Sequence, residues 1–210
     1  AAIDGATNLS LSIWAYLDAV PALTLGLVSK SAGAGSFPFE MAIHNTQSTA
    51  MAVWFSNTTN GRTPNSEDVQ GVWTHWAWAF NGGGAVDADR LKIYKDGVEK
   101  SLTFTGTIPA ALASDAGQLS CCDGGVDKQA SIFGPFRVAL LKIWTATLTQ
   151  AELIQEMNSF RPVRTSNLLV WSPYDDGTSA RDYSGSSNHG TVTGALQVAG
   201  PPVGYGGLVI

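Results

Sequence analysis

At 210 residues the chain has room for one sizeable core, and its 14% charged residues and 23 glycines suit many short strands joined by tight turns rather than a helical bundle. A formal net charge of −5, with twelve Lys and Arg scattered and no basic run, excludes nucleic acid, because a polyanion has to be met by a basic face. No stretch reaches the roughly 18 apolar residues of a membrane span and no basic-then-apolar leader is present, while a start at Ala1 rather than Met reads as a processed or trimmed product.

In chain order, Asn8 to Leu17 alternates Leu9, Leu11, Ile13, Ala15 and Leu17 against Ser10, Ser12, Trp14 and Tyr16. That is the two-residue repeat of a strand, and Val20-Pro21 ends it. Leu25 to Lys30 reads as the next strand, Ser31 to Ser36 as a loop of small residues, and Phe39 to His44 and Thr49 to Ser56 as two more strands around Asn45 to Ser48. Asn57 to Gln70 is polar and carries Asn60-Gly61 and Pro64, so it reads as a surface loop, the kind of segment in which recognition residues sit. Asn57-Thr58-Thr59 and Asn8-Leu9-Ser10 match the N-glycosylation acceptor, a pattern short enough to arise by chance.

Gly71 to Lys100 reads as a buried strand followed by a hairpin. Val72, Thr74, Trp76, Trp78 and Phe80 share one face and Trp73, His75, Ala77 and Ala79 the other; both are largely apolar, so the strand is expected to be central. Leu91 and Ile93 then alternate with Lys92 and Tyr94, and Asp96-Gly97 supplies the positive-φ pair of a type I′ turn. Leu102 to Thr107 reads as a strand and Ala110 to Asp115 as a connector. Cys121 and Cys122 are adjacent and cannot close a long loop; they read as two reduced residues near a strand end, with a strained vicinal disulfide as the alternative.

Ser131 to Trp144 is the last long strand pattern, and one short helix near 149–160 follows it. Thr149 and Glu152 form a capping box, Leu148 and Leu153 stand at the staple positions, and Leu153, Met157 and Phe160 recur at helical spacing before Arg161-Pro162. Glu152 and Glu156, one turn apart, read as a solvated helix face rather than a carboxylate pair. The tail from Pro201 is extended and Gly/Pro-rich.

The run Trp73-Thr74-His75-Trp76-Ala77-Trp78-Ala79-Phe80-Asn81-Gly82, then Leu91-Lys92-Ile93-Tyr94-Lys95-Asp96-Gly97-Val98, resembles the LamG-like group of the concanavalin A-like lectin/glucanase superfamily. The Leu9–Leu17 strand, the Phe133–Trp144 segment and the capped helix resemble that family's pattern too. The resemblance implies an all-β, concanavalin A-like jelly-roll sandwich of two antiparallel sheets, outside the cell or on a particle surface, and a binding module more often than an enzyme. Ala139 and Leu140 stand where the family often carries Asp-Glu, which argues against a polar or ion-related role for that pair.

Residues 167–195, including Asp182-Tyr183-Ser184-Gly185 and Asn188-His189-Gly190, resemble the segment that normally opens such domains, yet here they come last. Either the domain, taken as 1–198 with an extended tail at 199–210, is circularly permuted, or a second copy begins and is cut short. One body and one opener favour permutation.

The superfamily's glucan-cleaving members carry two Glu flanking an Asp on one strand, because retaining hydrolysis needs two carboxyl groups about 5 Å apart. None of Glu40, Glu67, Glu99, Glu152 and Glu156 is followed two residues later by Asp, so no catalytic residue is assigned and a glycoside hydrolase is the third-ranked reading. No Gly-x-Ser-x-Gly elbow is present, and His75, at the family's His position, reads as structural. Acidic turn residues offer calcium candidates, with Asp175, Asp176 and Asp182 the best cluster; no other cofactor is expected.

Sugars are held by an aromatic face and by polar groups that satisfy hydroxyls, which makes Trp14, Trp54, Trp73 and Asn57 the ligand-binding candidates. The function expected is a non-catalytic, lectin-like surface recognition module that binds a glycan or a neighbouring surface or capsid protein, without membrane insertion. The alternative is a purely structural virion or envelope decoration protein. Its edge strands and tail are the surfaces available for oligomer contacts.

Overall fold

A computed structural model describes residues 2–19, 24–32, 36–44, 50–67, 70–122, 136–174 and 179–203. Its elements in chain order are β1 (Asn8–Leu17), β2 (Leu25–Lys30), β3 (Ser36–His44), β4 (Ala50–Ser56), β5 (Thr59–Arg62), β6 (Trp73–Asn81), α1 (Asp87–Arg90), β7 (Leu91–Lys95), β8 (Val98–Glu99), β9 (Thr103–Thr105), β10 (Leu119–Cys121), β11 (Phe136–Trp144), α2 (Gln150–Met157), β12 (Leu168–Ser172), β13 (Ser179–Ala180) and β14 (Gly190–Thr191). The first sheet runs β12-β11-β1-β6-β7-β8 and the second β10-β2-β3-β4-β5-β9, with a small β13-β14 hairpin beside them. All strand pairs are antiparallel, as expected for the sandwich.

The core lies between the sheets and follows from the alternation. Leu9, Leu11 and Ile13 of β1 and Trp76, Trp78 and Phe80 of β6 face Phe39, Met41 and Ile43 of β3 and Met51 and Val53 of β4, all fully buried. Phe39 tilts against Trp78 at 5.1 Å between ring centres, and Phe55 against Phe80 at 5.6 Å. As its two apolar faces predict, β6 is central, between β1 and β7. Asp96 and Gly97 have φ of 48° and 77°, the pair that a type I′ turn requires. A Cβ at Gly97 would stand 2.8 Å from Ile154 Cγ1, so α2 as well as the turn demands glycine there.

The outer face of the first sheet is covered by α2. Thr149 and Glu152 cap the helix reciprocally, and Leu148 and Leu153 join Ala77, Ala79, Tyr94 and Trp144 in a second apolar cluster. The helix ends at Met157, short of the expected Phe160.

The solvated-face reading of its glutamates is corrected. Glu156 is buried, with Lys142 Nζ 2.9 Å from its Oε2, and its Oε1 accepts the backbone N–H groups of Val163 and Arg164; Glu152 pairs with Arg164 at 2.5 Å. Burial pushes the Lys142 ammonium down, and Glu156 only partly offsets that.

Three further expectations change. The supposed loop Asn57 to Gln70 contains strand β5, so Asn60-Gly61 is not a turn. Gly61 crosses the core, where a Cβ would meet Leu91 Cδ2 at 2.6 Å and Phe104 Cε1 at 3.0 Å, and the chain reverses instead at Asn57-Thr58. Between the buried strand β6 and the expected hairpin lies the short helix α1, whose Asp87 accepts the backbone N–H of Ile108. The strand expected over Leu102 to Thr107 is only Thr103–Thr105.

Leu140, one of the two departures from the family pattern, has φ of 56° at the point where β11 carries an extra residue against β1. The C-terminal segment adds β12 to the edge of β11, and Asp182 ties it down by accepting the N–H groups of Trp171, Ser184 and Asn188. No helix among the described residues is long and apolar enough to cross a membrane.

A candidate ligand-binding face on the second sheet

Residues that alternate with the core positions of β2 to β5 point to the outer face of the second sheet. The pairing registers bring Ser120, Ser29, Glu40, Trp54, Asn60 and Thr105 into one row that crosses all six strands. The neighbouring row holds Ala42, Ala52, Arg62 and Thr103. Beyond it lie His44 and Ala50. Ala42, Ala50 and Ala52 on this face are fully buried, as are Ser29, Glu40 and Asn60, whereas Trp54, His44 and Arg62 are half-buried.

Trp54 stacks on His44 with ring centres 5.9 Å apart and planes inclined by 21°. Among the described residues its buried indole Nε1 has no hydrogen-bond partner, and neither has Oδ1 of Asn60, which sits directly across the β4–β5 pair and is only 3% exposed. A buried polar atom left unpaired is costly, and two such atoms of opposite type on adjacent strands suit a hydroxyl group, which both donates and accepts. Burial holds the His44 imidazole below its ordinary range, and the nearby Arg62 charge adds to that, so the ring is neutral at pH 7. Glu40 is buried in the same row.

The sequence profile of a laminin G-type domain of the concanavalin A-like lectin/glucanases superfamily matches residues 1–154. The chain belongs to the concanavalin A-like lectin/glucanase superfamily. No curated protein matches it in sequence. A solved structure from Bacteroides ovatus, described as a "putative carbohydrate binding protein", superposes with a TM-score of 0.66 at 12% identity, covering 96% of this chain and 56% of that one. The chain thus spans little more than half of that neighbour's length. A pentraxin from Limulus polyphemus gives 0.51 at 17% identity, with 72% of this chain and 70% of that chain covered; a sialidase from Trypanosoma rangeli gives 0.50 at 11%, with 70% and 22%. At such identities the likeness speaks for the fold alone.

Within this concanavalin A-like frame the four aromatic and amide candidates do not converge. Trp14 and Trp73 lie on the outer face of the first sheet, half-buried beyond the C-terminal end of α2. Trp14 Nε1 donates to the Met157 carbonyl at 3.3 Å and its ring meets His75 edge-on at 5.4 Å. Trp73 packs edge-on against Tyr16 at 5.6 Å, and the Arg137 guanidinium lies 4.4 Å over the Tyr16 ring. Trp54 is on the opposite side of the sandwich, and Asn57 is exposed in the β4–β5 turn. Sequence reasoning missed His44, Asn60 and Arg62. The alternation of β3 and β4 carried a signal for His44, whereas the Asn60-Gly61 turn signature masked β5.

Of the calcium candidates, Asp175 and Asp176 lie outside the described residues. Asp182 does not offer an open carboxylate. Each of its oxygens already accepts a backbone N–H, and although burial raises its pKa, the hydrogen bonds from Trp171, Ser184 and Asn188 outweigh this and hold it below the usual carboxylate value. Among the described residues no group of three or more His, Cys, Asp and Glu could hold a metal ion.

His75 is structural, as read. It is fully buried, its Nε2 lies 2.8 Å from Ser12 Oγ, and burial, aided by the Lys142 charge, brings its pKa to about 3. The two cysteines are not bonded to one another, and Cys121 Sγ lies 3.0 Å from the Tyr174 hydroxyl.

A groove of 320 Å³ elsewhere, where Lys92, Tyr94 and Glu99 meet the start of α2, is less suited to a ligand. Its polar groups serve one another: Lys92 pairs with Glu99 at 3.1 Å and Gln150 donates to the Gly97 carbonyl at 2.8 Å. On the second sheet, Glu40 is the sole carboxylate among the described strand residues of the outer face. The remaining glutamates, Glu67, Glu99, Glu152 and Glu156, each pair with a Lys or Arg. Two-carboxylate hydrolysis therefore has no pair on that face within the described strands.

Proposed function

We propose that the chain is a non-catalytic, lectin-like recognition module that binds a glycan on the outer face of its second sheet. The observation that carries this reading is the juxtaposition of Trp54 and Asn60, an aromatic ring whose buried N–H lies directly opposite a buried amide oxygen, neither with a hydrogen-bond partner among the described residues. A pyranose ring answers both needs, its C–H face lying on the indole and a hydroxyl bridging the two polar atoms. The Bacteroides ovatus neighbour adds a precedent of fold. Such a module acts outside the cell or on a particle surface.

The test is a glycan-array screen of the purified chain, run with calcium and again with chelator. Saturable binding abolished by Trp54→Ala, with the melting transition intact, is the expected outcome. Binding lost in Trp14→Ala or Trp73→Ala but kept in Trp54→Ala would move the site to the first sheet.

The second reading is structural decoration of an envelope or virion through a neighbouring protein or a second copy. It draws support from the uncharged segment that follows β14, where Leu196 is 87% exposed and Val198 51%. A blank array in both buffers would turn the assignment to it. We further read residues 167–195 as a displaced opener that closes this same sandwich in a permuted domain, a reading supported by the pairing of β12 with β11.

A further inference from the structure

The glycan-binding reading leaves open which sugars are taken, and the charges on the same face narrow the choice. Every other Lys or Arg on the described strands, namely Lys30, Lys92, Lys95, Arg137 and Lys142, meets a carboxylate. Arg62 does not. Half-buried on β5, its guanidinium makes no hydrogen bond and no ion pair among the described residues, and its charge is felt at His44, a neutral ring at pH 7.

A partly desolvated cation without a counter-charge is unfavourable, and the guanidinium fork is shaped to take a carboxylate through two parallel N–H···O bonds. Asn60 and Arg62 are two residues apart on β5 and so share its outer face, while Trp54 lies across from Asn60 on β4. Arg62 is half-buried and offers a fork for an anion, while the amide oxygen of Asn60 and the indole N–H of Trp54 lie buried beside it as an acceptor and a donor without a partner among the described residues. A hexuronic acid carries the matching groups: a carboxylate, ring hydroxyls and a C–H face.

We propose that this face selects acidic glycans of the uronic acid class, with Arg62 holding the sugar carboxylate while Trp54 and Asn60 hold the ring. The proposal rests on the glycan-binding reading and adds charge selection to it. Glu40, the one acidic residue on the described strands of the face, is on β3, two strand spacings or about 10 Å from β5, which directs the ligand's carboxylate to the β5 side.

The test is isothermal titration of the full chain with oligogalacturonate, oligomannuronate and a glucuronate-containing oligosaccharide, each beside its neutral methyl ester. Arg62→Gln and Arg62→Lys are run in parallel, with melting curves to verify the fold. One acid form is expected to bind at least tenfold more tightly than its ester, Arg62→Gln is expected to erase that difference, and Arg62→Lys to restore part of it, as loss and partial rescue of a charged bidentate bond imply. Equal binding of acid and ester, unchanged by Arg62→Gln, would leave glycan binding standing and overturn the charge selection. No binding of any acidic sugar, beside a neutral glycan that binds on the array, would overturn it as well. Silence of the whole panel together with a blank array would remove both readings.

Discussion

Ser12 Oγ stands 2.8 Å from His75 Nε2 on the outer face of the first sheet, where the imidazole is fully buried and feels the Lys142 charge. Because the folded pKa is about 3 against 6.5 for an ordinary His, the folded state binds fewer protons than the unfolded chain throughout that window. Stability from this group is complete above pH 6.5 and is lost as pH falls toward 3. Denaturant titrations of the wild type should lose about 2 kcal/mol between pH 7 and pH 5, and His75→Gln should flatten that slope. A wild-type profile level over the same range would show that the imidazole accepts its proton inside the fold.

Glu156→Ala should be among the most damaging single changes. It strands the buried Lys142 ammonium and leaves the N–H groups of Val163 and Arg164 without their acceptor, a combination worth about 3–5 kcal/mol. The double variant Lys142→Met with Glu156→Leu should recover most of that loss in urea melts, since charge stranding rather than lost volume is the cause.

Gly61→Ala should cost about 1–3 kcal/mol, because the new methyl would press on Leu91 and Phe104 in the core. Gly200→Ala, which points into open space, serves as the control and should leave the urea midpoint unchanged.

Asp182→Ala should loosen β12 and lower the melting temperature equally in calcium and in chelator, because the carboxylate is engaged by backbone N–H groups of its own chain. A loss confined to calcium-containing buffer would instead mark a cation at Asp175, Asp176 and Asp182. In acid the same contacts weaken only below pH 3.8, since the folded carboxyl titrates lower than the free one.

The strands with a clear two-residue rhythm, β1 and β6, were legible from the chain alone, as were the Asp96-Gly97 turn and the Thr149 cap, since each depends on neighbours within a few positions. What was not legible depends on distant partners. Glu156 looks like any solvated helical glutamate until Lys142 is placed under it, and Asn60-Gly61 has the letters of a turn although the core needs a residue without a side chain between Leu91 and Phe104. The candidate site is hidden for the same reason. Trp54 could be nominated as an aromatic, but its companions come from β3 and β5 and meet it only through the sheet's registers.

Along β3, β4 and β5, Glu40, Trp54, Asn60 and Arg62 alternate with Met41, Val53 and Gly61, which face inward. Interleaving of this kind separates heritable change on the two sides of the sheet: the codons of the half-buried Trp54 and Arg62 can be randomised in a selection library while the inward letters between them stay fixed. A lineage built on this backbone can change the chemistry of these outward positions without refounding its core.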